Sequence, residues 1–148
     1  MPFFDLDPLL ETMLDAAPGI SDLNLSVGRP PQVEVDGALR PVPYAGIEKL
    51  LPYHTELIAM RLLAGKRDVT DRLVKTGSTD LSYALPKRTR FRVNVFTQRG
   101  SYSIVLRVIP NKVPTVEELG IPPQLNEIAN ERNGIVLVTG PTGSGKST

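Results

Sequence analysis

Two runs of alternating residues, 90–98 and 101–109, flank the dipeptide Arg99-Gly100, and no other feature limits the fold of this chain so tightly. A two-residue loop of this kind closes an antiparallel hairpin, because tight turns that match strand twist need positive φ and glycine accepts it. With Gln98 facing Ser101, Phe91 faces Val108, Val93 faces Leu106 and Val95 faces Ile104. All three apolar pairs fall on one side, so the register predicts a sheet with one buried face. The other face sets Asn94 opposite Val105 and Arg92 opposite Arg107. Like charges directly across a strand pair cost a few tenths to roughly 1 kcal/mol, so something offsets them. One resolution is an acid of this chain such as Asp80, or splaying into water. The other is an anion clamp: two adjacent guanidiniums present forked donors to a phosphate and cannot lose their charge.

The flanking sequence supplies the partners such a hairpin needs. Leu6, Leu9, Leu10, Met13, Leu14 and Ala17 recur at spacings of three and four, a helical stripe with Asp7-Pro8 at its start and Pro18-Gly19 at its end. The period then changes to two. Leu23, Leu25 and Val27 alternate with polar residues, Val33 and Val35 follow, and Asp36-Gly37 marks a hairpin that returns through Leu39 to Val42. Residues 44–76 are helical in composition. Leu57, Ile58, Leu62 and Leu63 form one stripe, with Thr55 as cap and Gly65 just past the end. A shorter helix from Asp68 to Lys75, stopped by Gly77, buries Val69, Leu73 and Val74. A further strand is expected at 79–84.

After Ile109 the texture changes. Pro110, Pro114, Pro122 and Pro123 exclude regular strand, and Thr115-Val116-Glu117-Glu118 reads as a capping box within a linker. A helix is expected from about Pro123 to Asn133-Gly134. The unbroken apolar run 135–138 then predicts a strand buried on both faces. Directly behind it stands Gly140-Pro141-Thr142-Gly143-Ser144-Gly145-Lys146-Ser147-Thr148, which satisfies the phosphate-loop pattern G-x-x-x-x-G-K-[ST] at each fixed position. The glycines let backbone N–H groups curl round a β-phosphate, Lys146 reaches the β- and γ-phosphates, and Ser147 ligates Mg2+. ATP with Mg2+ is therefore the expected ligand. The sequence stops where the following helix should begin, and it lacks the acidic strand and base that hydrolysis needs; the expectation is a fragment inactive by itself.

Composition excludes several classes. The chain has no cysteine and one histidine, His54, so thiolate metal sites, cysteine catalysis and multi-histidine metal centres are ruled out within one chain. His54 receives no functional role. The formal net charge is +1 over 148 residues. That balance hides an acidic start, with five acids and no base in 1–28, and a basic stretch, with seven bases and no acid in 86–112. Few aromatics accompany those bases, so a nucleic-acid surface is not expected. No apolar run reaches the roughly 20 residues that span a bilayer, and the N-terminus lacks a basic leader, so the expectation is a cytosolic chain with no direct membrane insertion.

The segments Ser21-Asp22-Leu23-Asn24-Leu25-Ser26, Gly28, Pro30-Pro31 and Val35-Asp36-Gly37 resemble the secretion ATPase superfamily, and within it the PilT-like pilus retraction (twitching motility) ATPases. So do Arg90-Phe91-Arg92-Val93-Asn94-Val95-Phe96, Gln98-Arg99, Leu106-Arg107-Val108-Ile109-Pro110, Glu117-Glu118-Leu119-Gly120 and residues 134–148. Asn24 stands where the family usually has histidine. The resemblance implies an α+β chain: a PAS-like N-terminal domain over 1–110 with an antiparallel sheet and flanking helices, a linker over 111–122, and the truncated start of a RecA-like ATPase domain over 123–148. It implies a homohexameric motor at the cytoplasmic periphery of a bacterial inner membrane, coupled to a platform protein and the pilus machinery. By motif position it assigns Arg92 and Arg107 to the nucleotide phosphates, the pair that the register singles out. The alternatives are a pilus assembly or type II secretion ATPase, and an isolated oligomerisation or binding module without ATP turnover.

Overall fold

The computed structural model describes residues 5–110 and 115–140. The chain divides into two compact units, 1–111 and 112–148, each described by itself. Among the described residues the first contains three helices, α1 (Leu6–Asp15), α2 (Pro52–Leu63) and α3 (Arg67–Thr76), and six strands, β1 (Ile20–Leu25), β2 (Gln32–Val35), β3 (Ala38–Pro41), β4 (Ser78–Leu85), β5 (Thr89–Gln98) and β6 (Ser101–Ile109). The strands form one antiparallel sheet in the order β3-β2-β1-β6-β5-β4. The architecture is thus mixed α+β, with helices flanking an antiparallel sheet.

The long hairpin has the register expected of it, from Gln98 opposite Ser101 to Arg90 opposite Ile109. Its turn residues Arg99 and Gly100 have φ of 51° and 77°, and the shorter β2–β3 turn repeats the device with Asp36 at 52° and Gly37 at 76°. These consecutive positive values match strand twist, which is why such dipeptides close two-residue loops. Phe91, Val93, Val95, Ile104 and Leu106 are buried together with Leu23 and Leu25 of β1 and Val33 and Val35 of β2. Leu6, Leu9, Leu10 and Met13 of α1 and Ile58, Ala59, Leu62 and Leu63 of α2 complete the same cluster, so the helices cover this one face. α2 lies against β6 and α3 against β4.

Several local expectations are corrected. The cap of α1 is Asp5, whose carboxylate accepts the Asp7 N–H, and Asp7 instead receives the hydroxyl of Tyr83 in β4. Thr55 is buried inside α2, which starts one turn earlier with Pro52 in its first turn, the place where a missing N–H does no harm. His54 takes part in that start: its Nδ1 accepts the Leu51 N–H at 3.0 Å. Burial lowers its pKa below 6.5, which favours this accepting, neutral form. Leu57 and Val74 face outward, at 47% and 78% exposure, because each helix presents a narrower stripe to the sheet than its apolar content suggested. Gly77 ends α3 as expected, with φ of 77° and its N–H bonded to the Leu73 carbonyl.

In the second unit, Thr115 and Glu118 make the reciprocal pair of a capping box: the Thr115 N–H donates to Glu118 and the Glu118 N–H to the Thr115 hydroxyl. The helix here, α4 (Gln124–Ala129), ends before the expected Asn133-Gly134. The largest correction concerns 135–138. Ile135, Val136, Leu137 and Val138 form no strand and are exposed, Ile135 at 87%. A buried parallel strand exists only through the ladders on its two sides, and among the described residues of this unit there is no strand to supply them.

Candidate functional site

The side of the sheet opposite the helices is polar, and the strand order decides what it gathers. β6 is flanked by β5 on one side and β1 on the other. Across them runs a row of facing residues: Glu34 of β2, Asp22 of β1, Arg107 of β6, Arg92 of β5 and Ser82 of β4. The next row holds Gln32, Asn24, Val105, Asn94 and Asp80. Asp22, Asp80, Arg92, Asn94, Val105 and Arg107 together line a shallow depression of about 330 Å³.

Arg92 and Arg107 are therefore side by side, as the hairpin register requires, and both are exposed. Their repulsion is offset from β1. Asp22 Oδ1 accepts the Arg107 Nε–H at 3.0 Å, and the Asp22 side chain is only 8% exposed while that of Arg107 is 71% exposed. A carboxylate this enclosed needs a charged or hydrogen-bonding partner, and Arg107 is that partner. Of the five guanidinium N–H donors, the one on Nε is occupied by Asp22. Arg92 makes no ion pair among the described residues. Asp80, the acid that the sequence offered as a counter-ion, instead accepts a bond of 3.4 Å from the Asn94 amide. The arrangement can hold an anion: two planar forks face solvent, one of them tethered at its inner nitrogen, within a low-volume depression.

Asp22 lies in a segment that carries the family resemblance, but the sequence did not mark it as a site residue. Its alternation in β1 placed it on the open face, but no local signal pairs β1 with a strand 85 residues later. Of the phosphate loop, only Gly140 is among the described residues; Pro141, Thr142, Gly143, Ser144, Gly145, Lys146, Ser147 and Thr148 lie outside them. A larger, open depression of about 900 Å³ is lined by the 41–54 segment, including Tyr44, Tyr53 and His54. It contains none of the residues expected to act on a phosphate.

An antiparallel sheet with one helix-covered face and one charged face is thus joined in sequence to a phosphate-loop pattern. The chain belongs to the type II/IV secretion system protein family, whose model matches residues 32–148. It is 41% identical over 133 residues to the type IV pilus retraction ATPase PilT of Pseudomonas aeruginosa, covering 90% of this chain and 37% of the relative. It is 34% identical over 146 residues to the type IV pilus ATPase PilU of the same organism, covering 97% of this chain and 36% of PilU. Among solved structures, the pilus retraction motor PilT with bound ADP matches with a TM-score of 0.80 and 34% identity, over 97% of this chain and 40% of that one. The chain thus spans little more than a third of the proteins it resembles. Among the described residues, no helix is long and apolar enough to cross a membrane.

Proposed function

We propose that this chain forms the front part of a homohexameric ATPase that powers type IV pilus retraction, with 1–110 as its N-terminal domain, 111–122 as linker and 123–148 as the opening of the ATPase domain. ATP is held by residues 140–148: Lys146 binds the β- and γ-phosphates and Ser147 ligates Mg2+, which neutralises phosphate charge when bound. Arg92 and Arg107 bring positive charge to the same phosphates when the two domains close. Arginines arriving in this way are worth roughly 10³–10⁵ in rate in other nucleotide hydrolases. The motor works at the cytoplasmic side of the inner membrane, against a platform protein of the pilus machinery, and the 148-residue chain alone does not turn over ATP.

The observation that carries this reading is the pair of exposed guanidiniums facing each other at one register position, in a chain that also bears a full phosphate-loop sequence. The ADP named with the retraction motor of similar fold supports the ligand. The test is steady-state ATP hydrolysis by the full-length protein. Arg92→Ala and Arg107→Ala should each lower turnover at least tenfold; thermal unfolding should stay within about 2 °C of the parent for Arg92→Ala, whereas Arg107→Ala, which leaves the enclosed Asp22 carboxylate unpaired, should unfold several degrees lower. Parental turnover in both variants would refute the clamp.

A further inference from the structure

The clamp leaves one buried charge on the same face without a role in the chemistry. Asp22 stands in β1 opposite Arg107, and its side chain is 8% exposed. It is fixed between Glu34 across β2 and Arg107 across β6. We infer that Asp22 is the positioning residue of the clamp: it grips Arg107 at Nε and thereby aims the remaining guanidinium donors at an incoming phosphate. The inference rests on the nucleotide reading of Arg107 given above and goes one residue further.

Three observations support it. First, the bond is made by Nε, at 3.0 Å, and not by the terminal nitrogens. Held at Nε, the guanidinium keeps its four terminal N–H donors for a phosphate. Second, the two partners differ in burial: Arg107 is 71% exposed and Asp22 is enclosed. A long, exposed arginine is otherwise free among many rotamers, and a rigid anchor removes that freedom before the ligand arrives. Third, Asp22 supplies a negative charge at Arg107, which offsets part of the repulsion between two arginines that share one register position. Asp80 and Asn94 line the same depression but form their own bond, so the grip on Arg107 falls to Asp22.

The test is ATP hydrolysis by the full-length protein carrying Asp22→Ala, Asp22→Asn, Arg107→Ala and the double Asp22→Ala/Arg107→Ala, with thermal unfolding of each. Misplacing a catalytic group by about 1 Å can cost 10²-fold. Asp22→Ala should therefore lower kcat roughly ten- to hundredfold while KM for ATP stays within about threefold. Asp22→Asn keeps an oxygen acceptor at the same place and should lose several-fold less. The double variant should be no slower than Arg107→Ala alone, because the two residues act as one unit. Should the alanine variant fail to fold, Asp22→Ser, too short to reach Nε, takes its place under the same expectations. Parental turnover in Asp22→Ala beside a slow Arg107→Ala would overturn the positioning role and leave the clamp intact. So would a double variant slowed by the product of the single effects. Parental turnover in Arg107→Ala would instead overturn the clamp, and the positioning role with it.

Discussion

Replacing Tyr83 by Phe removes a tether between β4 and α1, and its energetic signature depends on pH in a way that can be worked out beforehand. Tyr83 lies in β4 and donates its hydroxyl to Asp7 in the first turn of α1. Burial, followed by the hydrogen bond to Asp7 and the charge of Asp7, pushes its pKa from 10.0 to about 12. Such a change corresponds to at most about 2.7 kcal/mol between the two protonation states. Because the ring is only partly buried, solvent screening reduces the usable part to about 1 kcal/mol. The unfolded chain ionises this tyrosine near pH 10 and the folded chain near 12. Between those values the unfolded state binds fewer protons, so folded stability falls as pH rises. The contribution is complete below pH 10 and gone above 12. Urea unfolding at pH 8 should therefore show Tyr83→Phe about 1 kcal/mol less stable than the parent. The gap should close progressively between pH 10 and 12. Equal stability at pH 8, or a gap that persists at pH 12, would refute the argument.

Three further substitutions test the packing of the first unit. Gly77→Ala places a Cβ 3.0 Å from Thr97 Oγ1 at a φ of 77°, whereas Gly65→Ala at 75° meets nothing within 4 Å. The left-handed backbone costs an alanine about 1–2 kcal/mol, less roughly 0.4–1 kcal/mol recovered from the unfolded chain. Thr97 Oγ1 also donates to the Gly77 carbonyl at 3.1 Å, so moving it adds about 1 kcal/mol at Gly77 alone; urea midpoints that rank the two variants equally would contradict this. Thr79 is 2% exposed, and its hydroxyl has no hydrogen-bond partner among the described residues. Thr79→Val should raise stability by about 1 kcal/mol in the same assay.

What could be read before the structure was whatever the chain decides locally. Arg99-Gly100 and Asp36-Gly37 carry their conformation in two residues, so the hairpins and the facing of Arg92 and Arg107 were legible. Asp5 and Asp7 both suit a helix cap, and only the position of Tyr83 assigns them different work. Leu57 and Val74 are apolar at helical spacing, yet which stripe turns inward depends on the strand beneath. Asp22 was the most consequential omission: its partner is chosen by the crossing that inserts β1 beside β6, a long-range decision without a local marker. Residues 135–138 show the converse, since an apolar run announces a buried strand but supplies no neighbours for it.

The two-residue β5–β6 turn touches no ligand in the proposed mechanism, yet it governs which way nine residues on either side point. Adding or deleting a single residue between Gln98 and Ser101 would shift one strand by half its repeat and exchange interior for exterior along it. Arg107 would then be driven toward Phe91 and Val93, and an apolar neighbour would take its place beside Arg92. Loop length here is accordingly as much a determinant of the charged surface as the arginines themselves. Natural variation should spare the count of residues in this turn even where it freely changes their identity.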